Sequence, residues 1–174
     1  EYWAQNAKED IKAAGWQGNI NPRYVEVNFN QACNFKCSYC SPHLSTSWHQ
    51  EIKDHGPYQI VGGEHNNTES LARAGLMPMR VAQDENPYVE AFFKWWPELS
   101  KELEELRITG GEATMSHNFW KLCEQIKQQD LPHMRFAANS NLGMKRELLE
   151  DLVQFTKEAR IKDFDLYTSN EAYG

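Results

Sequence analysis

The chain has 174 residues, 40% of them apolar and 25% charged, which is room for one domain with a core of its own. Eighteen basic residues stand against 25 acidic ones, a net charge of −7, and this argues against a broad electrostatic grip on nucleic acid. No stretch nears the ~20 apolar residues of a membrane helix, and six Trp, seven Tyr and eight Phe exclude the disordered class.

Residues 1–23 read as a lead-in carrying one short helix. Tyr24 to Asn30 alternates polar with aromatic and β-branched residues, which predicts a strand. Three cysteines follow directly. Residues 49–70 are polar, contain glycine and show little period, which predicts a long loop or insertion. Asn86-Pro87 is an N-cap followed by a first-turn proline. It opens a helix whose Tyr88, Phe92, Trp95 and Trp96 are expected on one core face.

Leu106 to Thr109 predicts a second strand, running into Gly110-Gly111-Glu112. Ser116 or Asn118 is placed to cap a helix whose inward face carries Phe119, Leu122, Cys123 and Ile126. Met134 to Ala138 predicts a third strand, ending in Asn139-Ser140-Asn141. Leu148, Leu149, Leu152, Val153 and Phe155 mark another amphipathic helix. Phe164 to Tyr167 predicts a fourth strand, ending in Thr168-Ser169-Asn170-Glu171. Strands alternating with helices imply an α/β fold with a parallel sheet and right-handed crossovers. The cysteine run and the three later polar clusters then all fall just past strand C-terminal ends, the edge where such folds build active sites.

The four cysteines are Cys33, Cys37, Cys40 and Cys123. Three of them share the spacing C-x3-C-x2-C, which does not suit a disulfide framework and points to a reducing compartment. The chain starts at Glu1 without an initiator Met, and shows no secretory or transit pattern. It stops at Gly174 soon after a predicted strand. It therefore reads as an excerpt of a longer cytoplasmic protein. Three thiolates on one loop can hold three corners of an iron–sulfur cubane, leaving the fourth iron free for a small molecule. Two other uses stand beside this one: a structural zinc site of Cys33, Cys37, Cys40 and His43, and a simple electron carrier. Cys123, on a helix face, is expected only to pack. His43 and His49 are candidates for substrate contact. Surface or packing roles are expected for them, as for His55, His65, His117 and His133. Glu102, Glu104 and Glu105 are expected to form a solvated face.

Cys33-Asn34-Phe35-Lys36-Cys37-Ser38-Tyr39-Cys40 resembles the cysteine signature of the radical S-adenosylmethionine (SAM) enzymes. The resemblance extends over about residues 24–174, through the strand before the cysteines and the Gly-Gly-Glu after the second strand. It implies a partial (β/α)6 TIM-like barrel with about four βα units in this chain. With Pro42, the run also resembles the branch containing molybdenum-cofactor synthase and members with SPASM or twitch extensions. The resemblance implies that Cys33, Cys37 and Cys40 ligate a [4Fe-4S] cluster whose open iron binds SAM. Reductive cleavage then gives methionine and a 5′-deoxyadenosyl radical that abstracts hydrogen from a substrate, a peptide or a small molecule. Flavodoxin or ferredoxin is the implied reductant. Tyr39 matches the aromatic position beside the adenine. Gly110, Gly111 and Glu112 match the motif at the methionine amino group, in preference to Gly62-Gly63-Glu64, which lacks the strand-to-helix context. Asn139 and Ser169 match ribose-contacting positions, and Glu171 a position where an acid is frequent.

Overall fold

A computed structural model describes residues 2–58, 67–77 and 86–169. The order is α1 (Tyr2–Ala14), β1 (Tyr24–Asn28), α2 (Thr46–His55), α3 (Thr68–Arg73), α4 (Pro87–Leu99), β2 (Glu105–Thr109), a 3₁₀ turn (Ala113–Met115), α5 (His117–Lys127), β3 (Asp130–Ser140), α6 (Arg146–Glu158) and β4 (Arg160–Thr168). The four strands form one parallel sheet in the spatial order β1-β2-β3-β4. Spatial order follows chain order without reversal. Right-handed crossovers then put their helices on one face. A doubly wound sheet reverses direction midway and carries helices on both faces; this one is wound one way.

The register shows what that does to the two faces. Val25, Leu106, Phe136 and Phe164 make one rung across the strands, and Val27, Ile108, Ala138 and Leu166 another. These residues join a single core with Val89, Phe92, Trp96 and Leu99 of α4, Phe119, Leu122 and Ile126 of α5, and Leu152 and Phe155 of α6. The alternate positions carry Tyr24, Glu105, Arg135 and Asp163, then Glu26, Arg107, Ala137 and Asp165. Arg135 lies 3.6 Å from Asp163 and 3.5 Å from Asp165. The Arg107 guanidinium sits 4.6 Å from the centroid of the Tyr167 ring. A parallel sheet buried on both faces reads as continuous apolar runs. Here the strands alternate, so one face is dry and helix-covered and the other is polar.

Several sequence expectations need correction. The polar 49–70 stretch is not one loop: α2 begins before it and continues into it, and α3 starts in its far end and runs past it, while residues 59–66 fall outside the described set. Each helix is short and buries one apolar anchor, Ile52 or Leu71, so neither leaves a hydrophobic period to read. Their caps are explicit instead. The Ser45 hydroxyl accepts from the Trp48 N–H, and the Asn67 side-chain oxygen Oδ1 accepts from the N–H groups of Glu69 and Ser70. In α4 the buried ridge is Val89, Phe92, Trp96 and Leu99, leaving Tyr88 79% and Trp95 39% exposed. The 3-4-3 spacing of that ridge follows the helix axis more closely than the face through Tyr88 and Trp95. Leu149 and Val153 likewise stay largely exposed, while Leu152 and Phe155 are buried. Ser116 occupies the N-cap position of α5 without a side-chain capping bond, and Asn118 is buried inside that helix.

Candidate functional site

The three clustered cysteines lie on the loop between β1 and α2, and the first turn of α2 holds that loop in shape. Thr46 Oγ1 accepts from the Cys33 N–H at 3.0 Å and donates to the Cys33 carbonyl at 3.1 Å. Ser47 Oγ donates to the same carbonyl at 2.7 Å. Ser45 Oγ donates to the Phe35 carbonyl at 3.0 Å, and Trp48 Nε1 to the Cys37 carbonyl at 2.8 Å. An ion pair of 2.6 Å joins Lys36, between the first two cysteines, to Glu51 of α2. The Lys36 ammonium beside it holds the Glu51 carboxyl below its usual range. A loop cannot satisfy its own peptide groups through a ladder, so side chains do it here. Ser45-Thr46-Ser47-Trp48 is thus a strap for the cysteine loop. The run of three hydroxyl residues is the one local sequence signal for it.

The exit of β2 is stitched to the exit of β1. The Glu112 N–H donates to the Ala32 carbonyl at 2.7 Å. Gly110 has φ 121°, and a Cβ there would run into the Asn28 side chain and meet the Asn30 carbonyl at 2.7 Å. A Cβ on Gly111 would collide with the Ala32 carbonyl. Both glycines therefore let two backbones touch, directly beneath the cysteine loop.

Glu112 itself is 1% exposed. Its carboxylate accepts from the Thr114 hydroxyl (2.6 Å) and N–H (3.2 Å), the Ser140 hydroxyl (2.9 and 3.1 Å) and the Asn141 N–H (2.7 Å). The carboxylate points into this network and not into the cavity, where the resemblance would put it against an amino group. It links the exit of β2 to the exit of β3.

These pieces enclose a cavity of about 340 Å³ at the C-terminal edge of the sheet, within the ~300–1,000 Å³ range of small-molecule sites. Cys33, Cys37, Cys40 and Tyr39 form one wall. Gly110 and Gly111, then Asn139, Ser140 and Asn141, then Ser169 form the rest. Asn28, Thr109 and Asn139 bring the polar face of the sheet to its floor. Asn139 Oδ1 accepts from Arg107 Nε at 3.1 Å, and the Ser169 N–H donates to the Ser140 carbonyl at 3.2 Å. The strand ends thus bring together Cys33, Cys37, Cys40, Tyr39, Gly110, Gly111, Asn139 and Ser169, whereas Glu112 lies behind the wall and His43 and His49 are not among the lining residues. Gly62-Gly63-Glu64 and Glu171 lie outside the described residues. Cys123 is away from the cavity, in the core, where burial pushes its thiol far above the ordinary range. Asn141 was legible only as part of a strand-end polar cluster; the Cys33 and Asn34 side chains that its amide meets lie more than a hundred residues upstream.

No disulfide forms among the four cysteines. Among the described residues, no three His, Cys, Asp or Glu side chains converge as they would around a single metal ion. His43 Nδ1 instead shares a 2.7 Å hydrogen bond with the Ser41 hydroxyl. No helix among the described residues is long and apolar enough to cross a membrane. The chain matches no protein-family model, no curated protein and no solved structure.

Proposed function

We propose that this chain is the core of a radical SAM enzyme, and that its sheet is part of a (β/α)6 barrel of which four units are present. The observation that carries the reading is the cavity at the strand ends, lined by the three cysteines of a C-x3-C-x2-C run and by Gly110 and Gly111. The one-way winding supports the barrel, since a sheet that never reverses order can curl with its helices outside and its polar face inward. The donor set fits a [4Fe-4S] cluster. Three thiolates on one loop can each bind a different iron of a cubane and leave the fourth iron open, and Cys33, Cys37 and Cys40 all line the cavity.

When bound and reduced, the cluster supplies the electron that breaks the sulfonium C–S bond of SAM, giving methionine and a 5′-deoxyadenosyl radical that takes hydrogen from substrate. The chain's own residues supply binding and shelter. Cys33, Cys37 and Cys40 hold the cluster, and the Ser45–Trp48 strap fixes their loop. Gly110 and Gly111 present backbone to SAM's methionine part, and Glu112 holds that wall from behind. Tyr39, 71% exposed at the rim, covers the adenine. Asn139 and Ser169 meet the ribose. A flavodoxin or ferredoxin delivers the electron in the cytoplasm, and a peptide or small molecule enters over the polar sheet face.

The test is product formation. Protein reconstituted without oxygen and reduced with dithionite should convert SAM to 5′-deoxyadenosine and methionine, and Cys→Ser at position 33, 37 or 40 should abolish this. Cluster-loaded protein that forms no 5′-deoxyadenosine, with SAM bound, would refute the reading.

A further inference from the structure

Asn141 follows the last residue of β3, yet its side chain reaches across to the cysteine loop. Its Nδ2 lies 3.7 Å from Cys33 Sγ and 3.0 Å from Asn34 Oδ1. Its Oδ1 accepts from the Gly143 N–H at 2.7 Å, and its own N–H donates to Glu112 at 2.7 Å. Asn34 Nδ2 closes the ring by donating to the Gly143 carbonyl at 2.7 Å. The amide has no freedom to flip: an inverted group would set its NH2 against the Gly143 N–H, donor against donor. Both of its hydrogens are committed, one to Asn34 and one to the sulfur. Gly143 is part of the fit, because a Cβ there would come within 2.6 Å of Asn34 Nδ2 and 2.8 Å of Asn141 Oδ1. Cys33 is the buried one of the three clustered cysteines, so its sulfur has the least water to stabilise negative charge.

Resting on the iron–sulfur reading above, we infer that Asn141 is a positioning residue that sets the cluster's reduction potential through its N–H···S bond to Cys33. A donor aimed at a ligating sulfur draws off electron density. It stabilises the reduced, more negative cluster more than the oxidised one, so it raises the potential. Removing the donor lowers it. Glu112 and Gly143 act one step back, by holding the Asn141 backbone and carbonyl while the amide faces the sulfur.

The experiment compares midpoint potentials of the reconstituted cluster in the wild-type protein, Asn141→Ala and Asn141→Leu, by EPR-monitored titration without SAM or substrate. Asn141→Leu keeps the shape of the side chain and removes the donor without adding a charge beside the sulfur, so it carries the measurement if the alanine variant folds poorly. Each variant should shift to more negative potential by roughly a tenfold change in the reduction equilibrium, which is about 59 mV for one electron. Iron and sulfide content should match the wild type. Unchanged potentials in loaded variants would overturn the inference and leave the cluster reading intact. Loss of the cluster from both variants, with the wild type loaded, would make Asn141 a loop scaffold and also overturn it. Absence of iron and sulfide from the wild type would overturn the cluster reading itself.

Discussion

Glu112 shows how much a single buried side chain organises. Its carboxylate is taken out of water and stabilised by donors from Thr114, Ser140 and Asn141, so it ties two strand exits into one wall. Glu112→Gln should break this, because the new amide is a donor facing donors. An unsatisfied buried polar group costs about 1–3 kcal/mol, and urea unfolding should show a loss of that order; an unchanged midpoint would remove Glu112 from the scaffold. Cys123 offers a second check at this scale. Desolvation keeps its thiol protonated in the folded protein, while in the unfolded chain it ionises from about pH 8.5 upward. Above that pH the unfolded state binds fewer protons than the folded state, so stability falls as pH rises. This one group contributes up to about 1.4 kcal/mol per pH unit. Cys123→Ala should lose that component of the alkaline slope in unfolding measured across the range, and equal slopes would mean that the thiol ionises in the fold.

The first turn of α2 and the exits of the strands are the elements that make the site. Thr46 holds both backbone groups of Cys33, so Thr46→Val, nearly the same in shape, should cost about 1–3 kcal/mol. It should also speed loss of iron from the reconstituted protein to a chelator; wild-type release kinetics would show that the strap is dispensable. The sequence made the strands and their polar ends readable, because period-2 alternation in residues such as Val25, Val27, Leu106 and Ile108 is a local signal. It also placed Cys33, Gly110, Asn139 and Ser169 at one sheet edge, since parallel strands carry their C-terminal ends to the same side. What it could not reveal depends on distant partners or on weak periods. Asn34 and Asn141 are 107 residues apart, and nothing in either neighbourhood encodes the pairing. The helices α2 and α3 bury too little for a pattern to appear. Glu112 read as a ligand-facing acid because its motif is local, whereas the donors that turn it inward include Ser140 and Asn141, 28 and 29 residues on.

At the scale of the whole molecule, the one-way order of the sheet separates two jobs. The apolar face, covered by α4, α5 and α6, supplies stability. The polar face and the strand ends stay free of that packing, with Asn28, Thr109 and Asn139 joining the two at the cavity floor. A fold of this kind hosts many activities, so the claim stands on the cysteine wall and the space in front of it. Its most direct test is EPR of the anaerobically reconstituted, reduced protein with and without SAM, alongside iron and sulfide analysis. The account predicts about four iron and four sulfide per chain, and a reduced-cluster signal whose g-values change when SAM is added, as they must if SAM binds an iron that carries no protein ligand. One zinc per chain without sulfide, or a cluster signal indifferent to SAM, would contradict it.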